Sequence, residues 1–181
     1  PDSLKSIGDN AFQYTKLYDD FDYSWDVCYI GNHVIRANEN TISGAYSIRA
    51  GIKTIADNAF SACGDLTSIE IPDGVVSIGN HAFDGCSGIT SMEIPESVAR
   101  IGNSAFSSCV SLTGISVSEG NASYCAENGV LYNKAKTKII RFPCQKTDTS
   151  FMIPNGITSI ADGAFENCRN LTGITIPDGV K

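Results

Sequence analysis

The chain has 181 residues, 42% of them hydrophobic and 18% charged, and its 13 Lys and Arg against 20 Asp and Glu give a formal net charge of -7. That length suits one well-buried domain better than two, and the acidic balance opposes phosphate backbones and anionic lipid surfaces, which excludes nucleic acid as a natural partner. No apolar run approaches the ~20 residues of a membrane-spanning helix, and the opening PDSLKSIGDNAF has neither the basic nor the apolar region of a secretory leader, so direct membrane insertion is not expected either.

In chain order, the first unit is marked by Ile7 and by Ala11-Phe12. An insert at about 16–47 follows, and its VCYIGNHVIRAN has two apolar runs joined by Gly31-Asn32, a two-residue β-hairpin signal. Three units of 23 residues then run without a gap: IADNAFSACGDLTSIEIPDGVVS (55–77), IGNHAFDGCSGITSMEIPESVAR (78–100) and IGNSAFSSCVSLTGISVSEGNAS (101–123). A second insert at about 119–150 contains GVLYNKAKTKIIRFP, read as a hairpin on which Lys134, Lys136 and Lys138 alternate and share a solvent face. A last unit carries Ala164-Phe165 and ends at IPDGVK, as expected of one stretch cut from a longer array.

Counting from each Phe, an Ile stands five before (Ile7, Ile55, Ile78, Ile101, Ile160) and a Cys three after (Cys63, Cys86, Cys109, Cys168), with Thr15 in the first copy. The following L-x-x-I-x-I-P spacing, as in Leu66, Ile69, Ile71 and Pro72, predicts a short strand with one face inward that the proline terminates. Ser118 replaces that proline before the second insert, so the strand there is expected to run on or bend. A second short apolar stretch, as in Val75 and Ile78, follows a turn at Gly74. The DNAFSAC segment lacks alternation and is read as one helical or 3-10 turn. No such unit can bury its own Phe, Ile and Leu, so the copies must stack into a solenoid with a parallel sheet.

The chemistry-bearing residues follow from that stacking. His81 lies five residues before Cys86, but its slot holds Asn58, Ser104 and Gly163 in other copies, which favours a surface His beside a buried ladder Cys over a nucleophile and its base. Stacked thiols point the same way and suit a disulfide poorly. Cys28, Cys125 and Cys144 lie off the ladder, and Cys125 with Cys144 is the expected pair if one forms. There is no dinucleotide fingerprint or phosphate loop, two histidines cannot make a His-rich metal site, and the carboxylates are scattered. No catalytic residue, metal or cofactor is expected.

The I-G/A-x-x-A-F-x-x-C-x-x-L-T-x-I-x-I-P-x-G-V unit resembles the BspA-like leucine-rich repeats of bacterial and some protist surface proteins, and GVLYNKAKTKIIRFP and YSIRAGIKTIADNAF are similar to hairpin units interspersed in those arrays. The resemblance spans essentially the whole chain. It implies an α/β-type repeat solenoid, mostly β, with leucine-rich-repeat coils of 23 residues, a parallel sheet, short helical or 3-10 turns and two β-hairpin inserts. It further implies an extracellular, non-enzymatic module on the cell surface or secreted, used for adhesion to a protein partner such as host extracellular matrix. A passive spacer presenting another domain needs the same ladder and is the alternative.

Strand period two places the candidate binding residues. With Ile69 and Ile71 inward, Ser68 and Glu70 face out and Asp73 follows the proline. The equivalent slots hold Ser91, Glu93 and Glu96, then Ser116 and Glu119, then Thr175 and Asp178. This Thr/Ser face edged by acidic residues is the expected recognition surface. The hairpins, with Tyr29, Arg36, Tyr132, Lys136 and Arg141, are the competing one.

Overall fold

The computed structural model describes Leu4, Ile7, Gly8, Ala11, Phe12, Thr15 and residues 26–181; part of the first insert, residues 16–25, therefore lies outside the described residues. In chain order the described residues form fifteen strands and no helix. β1 (Val27–Ile30) and β2 (His33–Ala37) make the first hairpin. β3 (Gly44–Ser47), β4 (Thr54–Ile55), β5 (Leu66–Glu70), β6 (Ser77–Ile78), β7 (Ser91–Ile94) and β8 (Arg100–Ile101) alternate as long and short strands of successive coils. β9 (Gly114–Val117) leads into β10 (Tyr124–Glu127), β11 (Val130–Asn133) and β12 (Lys138–Arg141), and β13 (Ser150–Met152), β14 (Ser159–Ile160) and β15 (Gly173–Thr175) resume the coils.

Each coil therefore has three sides. The first is the long strand, in which Leu66 and Ile69 are buried while Ser68 and Glu70 are exposed. The second is the two-residue strand ending at the Ile five before the Phe. These short strands pair in parallel, Ile55 with Ile78 and Ile78 with Ile101, and extend the β1–β2 hairpin into a five-stranded sheet of order β1-β2-β4-β6-β8. The long strands pair as β3 with β5, β7 with β9 and β13 with β15, so the expected parallel sheet is present in three separate pieces on that side.

The third side carries the Ala-Phe pair, and it is a run of turns instead of the expected helical or 3-10 turn. Alternate amides explain why. Ala59, Ser61 and Cys63 donate three residues back, to Ala56, Asn58 and Phe60, whereas Asn58, Phe60 and Ala62 donate to Asn80, Ala82 and Asp84 of the next coil. A helical turn would use every amide locally and leave none to join the coils. The backbone achieves the alternation by left-handed residues two before and two after each Phe: Asn58 (φ 57°) and Ala62 (62°), His81 (53°) and Gly85 (76°), Ser104 (52°) and Ser108 (54°), Gly163 (67°) and Asn167 (62°).

Between these sides, Phe60, Phe83 and Phe106 are buried and stack with centroids 5.3 and 5.8 Å apart and planes tilted 12° and 5°. The ladder cysteines sit beside them. Cys86 donates its S–H to the carbonyl of Phe60 at 3.1 Å, and Cys109 to that of Phe83 at 3.2 Å. Each thiol thus satisfies a carbonyl of the preceding coil, which a methyl group of similar size would leave without that contact.

Two inserts interrupt the coils. The first hairpin turns on Gly31-Asn32 as the sequence suggests, with Ile30 opposite His33 and Gly31 at φ 58°. The segment YSIRAGIKTIADNAF is an ordinary coil containing β4, not a hairpin unit. The second insert is a three-stranded meander, β10-β11-β12, continued in parallel by β14. Its first turn is Asn128-Gly129, at φ 51° and 79°. Lys134 and Lys136 lie exposed in the turn between β11 and β12, and Lys138 opens β12, so the three do not share one strand face. β9 stops at Val117. Ser118 bends the chain toward Asn121, whose buried side chain donates to the carbonyls of Pro95 and Val98 and accepts from the amides of Ser123 and Tyr124.

This meander divides the interior. One core runs from Ile7 to Ile115 and takes in Leu131, while a smaller one holds Val130, Tyr132, Ile139, Phe142, Ile153, Ile157 and Ala164. Successive residues of β11 face opposite cores, as strand alternation requires. The meander also occupies two sheet edges: the Tyr124 hydroxyl accepts the Ile101 amide at the edge of β8, and the Gly129 carbonyl accepts the Ile115 amide at the edge of β9.

Candidate binding face

The long strands set the ten expected binding residues on one side of their coils. Ser68 and Glu70 leave β5 outward because Leu66 and Ile69 point in, and Ser91 and Glu93 leave β7 because Met92 and Ile94 are buried. Ser116 on β9 and Thr175 on β15 occupy the same slot. Asp73, Glu96, Glu119 and Asp178 follow the strand ends, and all ten are exposed. Glu70 accepts a hydrogen bond from Ser47 Oγ of the preceding coil at 2.7 Å, and Glu93 from Ser118 Oγ at 3.3 Å. Glu96 lies against Gly120, where a Cβ would fall 2.4 Å from the carboxyl carbon.

Eight of the ten come together. Ser68, Glu70, Asp73, Ser91 and Glu93 line a shallow groove of about 380 Å3 between β5 and β7, floored by Ile69, Ile71, Pro72 and Pro95. Glu96, Ser116 and Glu119 extend this face across β7 and β9. Thr175 and Asp178 are set apart, because β15 pairs with β13, while the outer edge of β9 is taken by the Asn128-Gly129 turn. The expected face is therefore split by the meander.

The competing hairpin residues are mostly not free to anchor a partner. Arg141 is 2% exposed and Tyr132 3%; burial pushes the Tyr132 hydroxyl up to about 12. The Tyr29 hydroxyl lies 2.8 Å from that of Tyr46, and the Arg49 guanidinium sits 4.1 Å above the Tyr29 ring. Arg36 pairs with Glu39 at 3.3 Å, and Lys136 with Glu127 at 2.8 Å.

His81 and Cys86 are not a catalytic pair. Cys86 is fully buried and donates to a backbone carbonyl, whereas the His81 side chain is about half exposed and lies 3.5 Å from Asp84. Burial raises the Cys63 and Cys109 thiols to about 12 and pushes Cys86 up further, which keeps all three protonated and inert. Among the described residues no group of three or more His, Cys, Asp or Glu side chains is placed to hold a metal ion, and no helix is long and apolar enough to cross a membrane. The expected pairing of Cys125 with Cys144 is incorrect. Cys125 lies on β10 and donates to Asn133 O at 3.4 Å, while Cys144 stands 3.3 Å from Cys168 of the next coil.

Coils stacked at a 23-residue repeat, with a long strand, a turn that turns a Phe inward and, at Cys63, Cys86 and Cys109, a buried ladder thiol, define a leucine-rich-repeat solenoid. Residues 1–63 and 142–181 match the BspA type leucine rich repeat region in six copies, and the chain belongs to that family. Similar solved structures agree. The pneumococcal vaccine antigen PcpA superposes with a TM-score of 0.70 at 25% identity, covering 76% of this chain and 40% of that one. A leucine rich cell surface protein of Faecalibacterium prausnitzii gives 0.64 at 34% identity, over 74% of this chain and 38% of its own. The leucine rich repeat protein of T. pallidum gives 0.50 at 27% identity, over 81% and 75%. The chain thus spans about two fifths of the first two proteins. No curated protein sequence matches it.

Proposed function

We propose that this chain is a non-enzymatic binding module of an extracellular surface protein, and that it adheres to a protein partner, host extracellular matrix included, through the face formed by β5, β7 and β9. The observation that carries this reading is the groove between β5 and β7, where Glu70, Asp73 and Glu93 converge with Ser68 and Ser91 over an apolar floor. Two of the solved relatives are described as a vaccine antigen and a cell surface protein, which supports placement outside the cell. The face has no aromatic platform, so it suits an extended basic protein surface better than a stacked sugar. Exposed carboxylates contribute ~0.2–1 kcal/mol each, so affinity must come from several acting together.

Charge reversal tests this. Replacing Glu70, Asp73, Glu93 and Glu96 together by Lys should weaken binding to immobilised matrix proteins by about tenfold or more at low salt. Reversing Lys134, Lys136 and Lys138 should leave it within about twofold. Arg141 stays out of the second set because it is buried. Loss of binding only in the second set would move the site to the meander, and no binding by the wild-type chain at low salt would leave the face without this function and favour the spacer.

A further inference from the structure

The side chains around Cys144 form an arrangement that the repeat pattern does not require. Cys144 sits two residues after Phe142, one residue out of step with the ladder cysteines that sit three after theirs. The shift alters its contacts. Cys86 and Cys109 point at carbonyls of the preceding coil, whereas Cys144, 3% exposed, lies 3.0 Å from the Glu166 carbonyl of the next coil and 3.3 Å from Cys168 Sγ, and Cys168 is 3.5 Å from the Phe142 carbonyl. Beside the pair is Arg141, 2% exposed, whose Nη2 donates to Cys144 Sγ at 2.7 Å and to the Glu166 carbonyl at 3.2 Å, while Nη1 bonds the Gly163 carbonyl. Its Nε has no hydrogen-bond partner among the described residues.

A buried guanidinium without a carboxylate partner is costly unless an anion sits against it. Here the group facing it is a thiol. A thiolate on Cys144 would satisfy the cation, accept from Nη2 and receive the S–H of Cys168. The hydrogen bond from Cys168, with the help of Arg141 and against burial and the Glu166 charge, lowers the Cys144 thiol below its ordinary value, and the same bond pushes Cys168 up. One sulfur is then the readier thiolate and its neighbour a protonated resolving thiol, an arrangement that suits oxidation.

We propose that Cys144 and Cys168 are a modification site, an oxidisable dithiol that a hydroperoxide converts into a disulfide joining adjacent coils. The Cys144 thiolate attacks one peroxide oxygen, the O–O bond breaks, and hydroxide leaves, giving a sulfenic acid on Cys144. Cys168 then attacks that sulfur, its proton leaves with the sulfenic hydroxyl as water, and the S–S bond forms. Sulfur is oxidised by two electrons overall, and the peroxide is reduced to water. Cys63, Cys86 and Cys109 do not enter, because burial holds each of those thiols protonated.

The test is limited treatment of the reduced chain with hydrogen peroxide at pH 7, followed by alkylation and peptide mapping without reductant. The expected product is one disulfide, Cys144–Cys168, with Cys63, Cys86 and Cys109 recovered as thiols. In Cys168→Ser, a dimedone adduct should appear on Cys144, because the sulfenic acid has no resolving partner. Arg141→Met should slow oxidation of Cys144 by about tenfold, in proportion to the thiolate lost. Alkylation of the ladder cysteines only after unfolding shows that each variant is folded, and Cys168→Ser keeps the test valid should Arg141→Met fail to fold. A disulfide from Cys144 to Cys109 or Cys125, or oxidation of Cys144 no faster than that of Cys125, would overturn the proposal.

Discussion

Asn58, His81, Ser104 and Gly163 occupy one slot, and the sequence alone suggested only that the slot takes something small or polar. Its requirement is a left-handed backbone, met most easily by Gly and Asn and tolerated by His. The same holds two residues after the Phe, where Ala62, Gly85, Ser108 and Asn167 stand. The recurrence of Asn and Gly at both places was a readable signal, but hydropathy does not record φ, so a turn that joins coils looked like a short helix. Ala62 is exposed and at φ 62°, and the left-handed cost for a residue with a Cβ, ~1–2 kcal/mol, exceeds the ~0.5–1 kcal/mol of extra chain entropy that glycine brings. Ala62→Gly should therefore stabilise the chain by about 0.5–1 kcal/mol in a urea titration. Gly85→Ala should destabilise it, because φ is 76° and the new Cβ would lie 3.3 Å from Ala62 Cα.

At the scale of the element, the Phe ladder was legible because the Ala-Phe pair recurs in five copies, three of them 23 residues apart, which reveals a stacked interior before any coordinate is known. Phe83 lies fully buried between Phe60 and Phe106, whereas Phe12 is half-buried. Phe83→Ala should cost ~3–5 kcal/mol of unfolding free energy and Phe12→Ala less, and equal losses would contradict the stacking. The second insert was only half legible. The apolar run of β11 and β12 showed, but β10 did not, because YCAE has little alternation, and a turn pair such as Asn128-Gly129 marks a hairpin only where apolar runs flank it on both sides. The bend that starts it depends on Asn121, whose role is set by four hydrogen bonds and leaves no mark on periodicity. The buried Arg141 was misplaced for a related reason: an arginine in a strand usually faces water, and here the coil interior supplies carbonyls and a thiol instead.

Over the whole molecule, the candidate face was read correctly as to which side chains point outward, because period two decides that. Its continuity was not, because the sequence does not say where a hairpin lodges. β11 stands between the two cores, so its neighbouring residues should report on different regions. Val130→Ala should lower amide-exchange protection mainly in β12 and β14, and Leu131→Ala mainly in β9; the same pattern from both would show that the interior acts as one unit. The meander also leaves β8 unpaired with β12 and β9 unpaired with β13. In a solenoid the bonds between coils lie along the long axis, so a pull on the two ends loads them directly. The coils should part first at this seam, and the meander, Tyr124 to Arg141, would then pay out on the order of 60 Å of extended chain, at ~3.3 Å per residue, drawing Leu131 from the larger core and Val130, Tyr132 and Ile139 from the smaller. A tether built this way would absorb a sudden load by lengthening at one place and recover by winding the meander back.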